Sequence, residues 1–285
     1  MPVSISALLR MPAIDLARFC NEQGGTVYFV IVQNLNPTAL AQLYGLGEPF
    51  EPSLLWLNTP HSSQASTGPF GFVAQVGSAR FDLAASLCSE TSCGIALAGN
   101  QPLAALEHLR SLVLAHDHRG GQSLLELGSP SLWAALALNA KASLTRLYGP
   151  LPWVLTPVPV SLRVSQQGWY RWARPDCGHE SAGGAFELPE AVGPAARTLR
   201  LLYRASSQHR HFQVADGAGL QALVSNLEVL IDHGITEGRH LVQLAGVARG
   251  TPLGASVSAM TLLRASERPF IKVQQLLGHV PNPGQ

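Results

Sequence analysis

The chain has 285 residues, of which 46% are hydrophobic and only 13% are charged. This composition excludes a disordered polypeptide, because disorder is associated with low hydrophobicity and high charge. The length allows one large domain or two ordinary ones, and the net charge of +1 argues against a nucleic-acid-binding surface, which is usually strongly basic. With so few charges, part of the surface must be neutral or apolar, as is typical of faces that bind other proteins.

The compartment is predicted from features that the sequence lacks. No apolar run of about 18 residues is free of charges, as a membrane span requires, and residues 1–10 lack the features of a secretory signal. A chain of this size folds without disulfides, so its cysteines are expected to be free and mostly buried thiols in a reducing compartment. These are Cys20, Cys88, Cys93 and Cys177. We therefore expect a cytoplasmic protein that does not associate with membranes.

Strands and helices are predicted to alternate in the first half of the chain. A helix is expected up to Gly25, and the apolar, β-branched run of residues 27–32 predicts a buried strand. Asn100 is the expected cap of a helix that contains Pro102 and leucines on one face. The other predicted strands are residues 53–57, 70–76, 94–98 and 124–127, and the other predicted helices are residues 38–44 and 130–138. This alternation indicates an α/β layer with helices on a mixed sheet.

The pattern changes after Gly149. Four prolines within residues 150–159 exclude a helix there, and residues 163–174 are expected to form an exposed hairpin or strand. The periodicity then becomes helical, and the predicted helices are residues 189–203, 220–232, 236–248 and, broken at Pro269, 256–277. The predicted architecture is an α/β (α+β) N-terminal domain with a mixed sheet, a linker or hairpin, and a smaller α-helical C-terminal domain, at residues 1–160, 161–187 and 188–285.

Residues 217–222 fit the G-x-G-x-x-A pattern of dinucleotide-binding turns. That fingerprint needs a parallel strand–helix–strand unit with an acidic residue about 20 positions further on. Here the predicted helix leads directly into another helix. We interpret the glycines as a helix start and predict no cofactor.

Histidine occurs in three polar clusters, residues 116–118, 179–180 and 209–211. Neither their spacings nor the spacing of Cys88 and Cys93 match those of zinc sites, so no metal is predicted. The sequence lacks the nucleophile elbow, the phosphate-binding loop and the H-E-x-x-H motif, so no catalytic residue is assigned. A hydrolase with a dispersed Cys–His or Ser–His pair is an alternative, because such partners need not be adjacent in sequence.

Aromatic and basic residues alternate in one short segment. Trp169, Tyr170 and Trp172 are interleaved with Arg171 and Arg174. Such clusters are typical of surfaces that stack single-stranded bases and of hot spots in protein–protein interfaces, and the rings would also suit a hydrophobic core. Because the net charge offers no attraction for nucleic acid, we predict that the five residues bind protein.

The order of segments in residues 27–157 carries a family resemblance. A first apolar strand leads through Gln33 to a short helix, and a Gly-Pro-Phe-Gly-Phe-Val segment precedes a helix rich in Leu, Arg and His. The segments are residues 27–32, 37–44, 53–57, 68–73, 103–110, 125–130, 148–151 and 153–155. Their order resembles the adaptor chaperones of the bacterial type VI secretion system, often called Tap or Tec proteins, which share a domain long labelled as of unknown function. Gln33, Glu126 and Ser129 depart from that family's acidic, arginine and aspartate residues.

The resemblance implies a non-enzymatic chaperone or adaptor. It would bind a toxic effector in the bacterial cytoplasm and aid its loading onto the VgrG spike, with a co-chaperone as a further candidate partner. An effector segment would be buried in a groove between the α/β layer and the helical lobe, or added as a strand to an exposed sheet edge. An effector or immunity protein of the same type of locus is the other alternative.

Overall fold

The computed structural model describes residues 3–98, 101–117, 120–140, 143–163, 168–175, 186–214 and 216–279. The chain divides into two compact units, Met1–Arg200 and Leu201–Gln285. Helices hold 53% of the residues and strands 16%, which confirms the predicted mixed class with helices at the C-terminus. Among the described residues, no helix is both long enough and apolar enough to cross a membrane.

A seven-stranded sheet forms the centre of the first unit, and every neighbouring pair in it is antiparallel. In spatial order its strands are β1 (Ala13–Ile14), β9 (Trp169–Ala173), β8 (Trp153–Pro157), β5 (Gly94–Ala98), β2 (Thr26–Ile31), β4 (Phe70–Gln75) and β3 (Ser53–Leu54). A second sheet has the order β10 (Glu187–Leu188), β6 (Leu114–Asp117) and β7 (Gln122–Leu124). Parallel pairing occurs between β10 and β6, so the mixed sheet is the small one.

The helices of the first unit begin where the sequence offers caps. Asp15 accepts a hydrogen bond from the N–H of Arg18, and Ser78 accepts one from the N–H of Phe81. The helices are α1 (Val3–Leu9), α2 (Leu16–Glu22), α3 (Ala39–Tyr44), α4 (Ala79–Thr91), α5 (Pro102–Leu112), α6 (Pro130–Asn139), α7 (Leu144–Tyr148) and α8 (Val192–Ser207), which runs on into the second unit. Proline occupies the first turn of α5 and α6, where its missing N–H costs nothing.

The core lies on both faces of the large sheet. Side chains alternate along β2, so Val27, Phe29 and Ile31 pack in one cluster with buried residues of α2, α3 and α4. Tyr28 lies on the opposite face, which α5 approaches. The run predicted as a strand buried on both faces is confirmed, because no residue of β2 after Thr26 is more than 4% exposed.

The second unit contains only helical elements among its described residues. They are α9 (His209–Phe212), α10 (Gly217–Asp232), α11 (Gly238–Gln243), α12 (Ala245–Ala248), α13 (Val257–Arg264) and α14 (Pro269–His279). The side chain of Asp216 caps α10 by accepting a hydrogen bond from the N–H of Gly219. The G-x-G-x-x-A segment is therefore the first part of α10 and follows a helix, which confirms its interpretation as a helix start.

The segment predicted as a linker or hairpin, residues 161–187, supplies strands to both sheets of the first unit. Its described part contains β9, which pairs with β1 and β8, and most of β10. Along the chain, the boundary between the two compact units falls between residues 200 and 201, within α8, rather than near residue 188. The physical reason is that the apolar residues of β9 are covered only when the segment joins the sheet.

Candidate functional site

The predicted aromatic cluster lies inside the sheet. Trp169, Tyr170 and Trp172 are 4%, 3% and 6% exposed, because strands flank β9 on both sides. Trp172 donates its indole N–H to the hydroxyl of Thr156 at 2.9 Å. The three rings therefore do not line a surface in this structure.

The arginines of the cluster do reach the surface. Arg171 and Arg174 are exposed. The guanidinium of Arg171 lies over the ring of Trp153, 5.0 Å from its centroid, and Arg174 donates to the carbonyl of Gly149 at 2.9 Å. Protein binding by these two side chains stays a prediction.

The histidine clusters form no metal centre in the described ranges, where no three His, Cys, Asp or Glu side chains converge. The ring of His209 hydrogen-bonds to the carbonyl of Ser206 at 3.2 Å, and His116 lies in β6. His118 and residues 179–180 lie outside the described residues.

Three of the predicted free cysteines are described, and all three are buried. Burial raises the pKa of Cys20 to about 12 and also raises the pKa of Cys88. The hydrogen bond with Cys88 lowers the pKa of Cys93, whose thiol in turn donates to a main-chain carbonyl. A nucleophilic cysteine needs both thiolate character and access for its substrate, and none of these three combines them. Cys177 lies outside the described residues.

One edge of the large sheet is only partly covered. The outermost strand, β3, pairs with β4 at two positions, Ser53 with Gly71 and Leu54 with Phe70. Main-chain polar groups alternate between the two sides of an antiparallel strand, so the N–H and C=O of Val73 point away from β2. In the part of the chain that the structure describes, neither group has a main-chain partner. β4 is therefore an open edge at Val73.

The open edge is short. It ends at Gln75, whose carbonyl accepts a hydrogen bond from the N–H of Ser78 at 3.0 Å. The side chain of Val73 is 36% exposed on the same stretch. Unpaired strand edges are ready templates for a further strand.

A groove of about 230 Å³ adjoins this edge. The sheet contributes its floor, the first turns of α5 form one wall, and the segment before β3 forms the other. We call it the edge groove; it is lined by Tyr28, Phe50, Ser53, Val73, Leu103 and Leu106. Leu103 is 75% exposed although it belongs to the apolar face of its helix. The lining also includes Glu51 and Arg80, so the groove is partly apolar and partly polar. An exposed apolar side chain at the rim of such a groove is typical of a protein-binding site.

The wall before β3 is held in place by Arg80 of α4. Its guanidinium forms an ion pair with Glu48 at 3.2 Å, donates to the carbonyl of Pro49 at 2.6 Å, and lies 5.3 Å from the ring centroid of Phe50. The ring of Phe50 also packs edge-on against Phe72 of β4, at 5.2 Å between centroids. These contacts fix the width of the edge groove.

Tyr28 lines the inner end of the edge groove, and Arg110 of α5 lies near it, one turn beyond the lining residue Leu106. Tyr28 is 4% exposed, and its ring packs where a Cβ on Gly71 would collide with it. Arg110 donates through Nη2 to the carbonyl of Leu54 at 2.9 Å. The hydroxyl of Tyr28 and the Nε of Arg110 are buried and have no hydrogen-bond partner among the described residues. The side chain of Ser53 is near enough to Tyr28 to lower its pKa.

The pKa of Tyr28 shows that this buried environment disfavours the negatively charged form of the side chain. Burial raises it to about 12, against the smaller lowering effects of Ser53 and of the positive charge of Arg110. Tyr28 is therefore protonated at neutral pH and able to donate a hydrogen bond.

A second cavity of about 180 Å³ lies on the other side of the start of α5. It shares Tyr28 and Pro102 with the edge groove and is closed by Leu97 and Leu151. Both volumes are smaller than the roughly 300–1,000 Å³ of pockets for small-molecule ligands. They suit individual side chains better than a cofactor.

Comparison of the chain with family models, with curated proteins and with solved structures gives no match. The sequence pattern does not mark the residues of the edge groove as binding residues. Tyr28, Val73 and Leu103 fit the apolar patterns of a strand or a helix. The available signal is Gly71, because a glycine inside a strand often marks a close approach of another group.

Proposed function

We propose that this protein is a non-enzymatic adaptor chaperone that binds a type VI secretion effector in the bacterial cytoplasm and aids its loading onto the VgrG spike. The observation that supports this function is the edge groove, where an unpaired strand edge adjoins a partly apolar channel and an exposed leucine. The resemblance of residues 27–157 to the adaptor family supports the choice of partners, which include a co-chaperone as a candidate.

Docking of an extended effector segment follows from the chemistry of the edge. The N–H and C=O of Val73 pair with the main chain of the incoming segment, whatever its sequence, and the groove selects apolar side chains at alternate positions. Each apolar side chain that is fully buried contributes about 1.5–3 kcal/mol. Such a complex keeps an aggregation-prone segment out of water until secretion and lies within the first unit.

The test is capture of the effector by variants of the exposed rim. Leu103→Asp places a charge at the edge groove without disturbing the core, because the side chain is already 75% exposed. Val257→Asp is the matched control, since Val257 also begins a helix and is 82% exposed, but in the second unit. Each variant is expressed in the native host and purified, and the proteins that co-purify with it are identified by mass.

We expect wild type and Val257→Asp to retain a type VI effector, and Leu103→Asp to lose it by about tenfold or more, which corresponds to about 1.4 kcal/mol. Circular dichroism checks that both variants are folded. Equal capture by the two variants would exclude the edge groove as the docking site. Recovery of the wild-type chain without any type VI effector or spike protein would overturn the adaptor function itself.

A further inference from the structure

Two hydrogen-bond donors at the inner end of the edge groove lack an acceptor among the described residues. The Tyr28 hydroxyl and the Arg110 Nε are both buried and unsatisfied in the described residues. A buried polar group without a partner costs about 1–3 kcal/mol, more when it is charged. Arg110 is near enough for its charge to act on Tyr28, so a single ligand that accepts hydrogen bonds would satisfy both groups.

The charge at this end is positive. No carboxylate pairs with Arg110 in the part of the chain that is described. Glu51 also lines the edge groove, but it is exposed, so water screens its charge. A partner that satisfies the two donors must accept hydrogen bonds and benefits from carrying negative charge, and a carboxylate does both.

The open strand edge indicates that such a carboxylate belongs to a polypeptide segment that pairs with β4. Tyr28 lies directly across from Val73 in the ladder between β2 and β4, so their side chains are neighbours on one face. A segment added beside Val73 places its own alternate side chains on that face. Gly71 leaves the space above β4 to the ring of Tyr28, so the hydroxyl lies over β4, two residues from Val73 along the strand.

We propose that the edge groove recognises an extended polypeptide segment with an aspartate or glutamate among its apolar residues, and that this carboxylate accepts hydrogen bonds from Tyr28 and Arg110. The assignment rests on the proposed function in that the natural source of the segment is the effector. The main-chain pairing at Val73 supplies sequence-independent affinity, whereas the acidic side chain supplies the register and the choice of client.

The probe is a displayed library of random peptides, selected on the purified full-length protein. We expect the enriched peptides to share an aspartate or glutamate flanked by alternating apolar residues. An enriched peptide is then synthesised together with its counterpart carrying the corresponding amide, and the affinity of each is measured by calorimetry. For wild type we expect the amide to bind about tenfold more weakly, as is usual for a lost charged hydrogen bond.

Tyr28→Phe is the decisive variant, because it removes only a hydroxyl that has no partner and so leaves the stability unchanged or raised. We expect it to bind the acidic peptide several-fold more weakly and to discriminate acid from amide by less than about twofold. Arg110→Met is expected to do the same. Tyr44→Phe, at an exposed tyrosine, is the control and keeps the wild-type discrimination.

Enriched peptides without an acidic residue, or undiminished discrimination in both Tyr28→Phe and Arg110→Met, would overturn the inference. Failure to enrich any peptide would overturn it as well. None of these results depends on a secretion system, so they leave the proposed function to its own test. Conversely, acid-dependent peptide binding by a chain that captures no type VI effector would support this site and reject the adaptor function.

Discussion

At the scale of single residues, the same side-chain type has opposite roles in different places. The aromatic residues of β9 have the composition of an interface hot spot, yet they are buried in the first unit. Trp172 is 6% exposed and hydrogen-bonds to Thr156, which is fully buried. Tyr28 is buried to the same extent, but its hydroxyl has no partner. Tyr28 also lines the edge groove, whereas the rings of β9 do not, and this position makes it a candidate binding residue.

Replacement of Trp172 by alanine should therefore destabilise the fold rather than act on a partner. We expect a loss of about 3–5 kcal/mol in the free energy of unfolding, because a large buried side chain and its hydrogen bond are removed. Arg171→Ala is the comparison and should cost about 1 kcal/mol, since the exposed side chain loses only its cation–π contacts with Trp153 and Phe19. Denaturant unfolding followed by circular dichroism measures both. Wild-type stability in Trp172→Ala would contradict the burial of the ring.

At the scale of elements, strongly apolar segments are predictable from sequence and weakly patterned ones are not. The strands at residues 70–76 and 94–98 are confirmed as β4 and β5, because continuous apolar runs suit a buried strand. The sequence pattern does not predict α4, although Phe81, Ala84 and Leu87 recur with helical spacing. The small and polar residues between them make the helical periodicity weak. The Asn100 cap lies outside the described residues, and α5 begins at Pro102.

Three helices of the second unit meet at a single buried cation. Lys272 of α14 is 8% exposed, and its Nζ donates to the carbonyl of His233 after α10 at 3.1 Å and to the carbonyl of Leu263 in the last turn of α13 at 2.7 Å. Positive charge is favourable at helix C-termini. We expect Lys272→Met to destabilise the second unit by about 1.5–3 kcal/mol, because two hydrogen bonds from a charged donor are lost.

Hydrogen exchange of the α13 and α14 amides measures this loss within the second unit. Arg264→Met is the matched control, because Arg264 also lies at the end of α13 but is exposed, and it should change stability by less than about 0.5 kcal/mol. Equal protection of the amides in Lys272→Met and wild type would show that the buried cation does not tie the helices together.

At the scale of the whole chain, the site is less predictable than the elements that build it. The edge groove brings together Ser53, Val73 and Leu103, which lie in three predicted elements. Their proximity depends on the strand order of the sheet, in which β2 lies between β5 and β4, and β3 is outermost. Apolar periodicity specifies which face of a strand is buried but not which strand is its neighbour. The sequence therefore predicts the parts of the groove and not their assembly.

The pH dependence of stability is also a property of the whole first unit. The pKa of Tyr28 and that of Tyr170 are raised by burial from 10.0 to about 12, and the pKa of Cys20 is raised from 9.0 to about 12. The unfolded chain releases these protons at a lower pH than the folded chain does, so alkali favours unfolding. Stability from these groups should be fully present below about pH 9 and fall as the pH rises toward 12.

At acid pH the effect on stability is opposite, because the pKa of the group concerned is lowered rather than raised by folding. Burial lowers the pKa of His108, whose ring hydrogen-bonds to the carbonyl of Leu147 at 2.9 Å, so the unfolded chain takes up a proton that the folded chain resists. The contribution of neutral His108 to the free energy of unfolding should therefore be lost as the pH falls below 6.5, the pKa of His108 in the unfolded chain. The first unit is expected to be most stable between these two limits.

Denaturant unfolding across this pH range, together with the ultraviolet absorbance of tyrosinate, measures the alkaline limb. Tyr28 and Tyr170 should each account for a loss of about 2 kcal/mol in the free energy of unfolding by pH 12. Tyr28→Phe should remove its share of that loss while leaving the acid limb unchanged, because phenylalanine has no proton to release. If the folded protein instead shows full tyrosinate absorbance near pH 10, the hydroxyls of Tyr28 and Tyr170 are in contact with water, and the buried donor at the inner end of the edge groove does not exist.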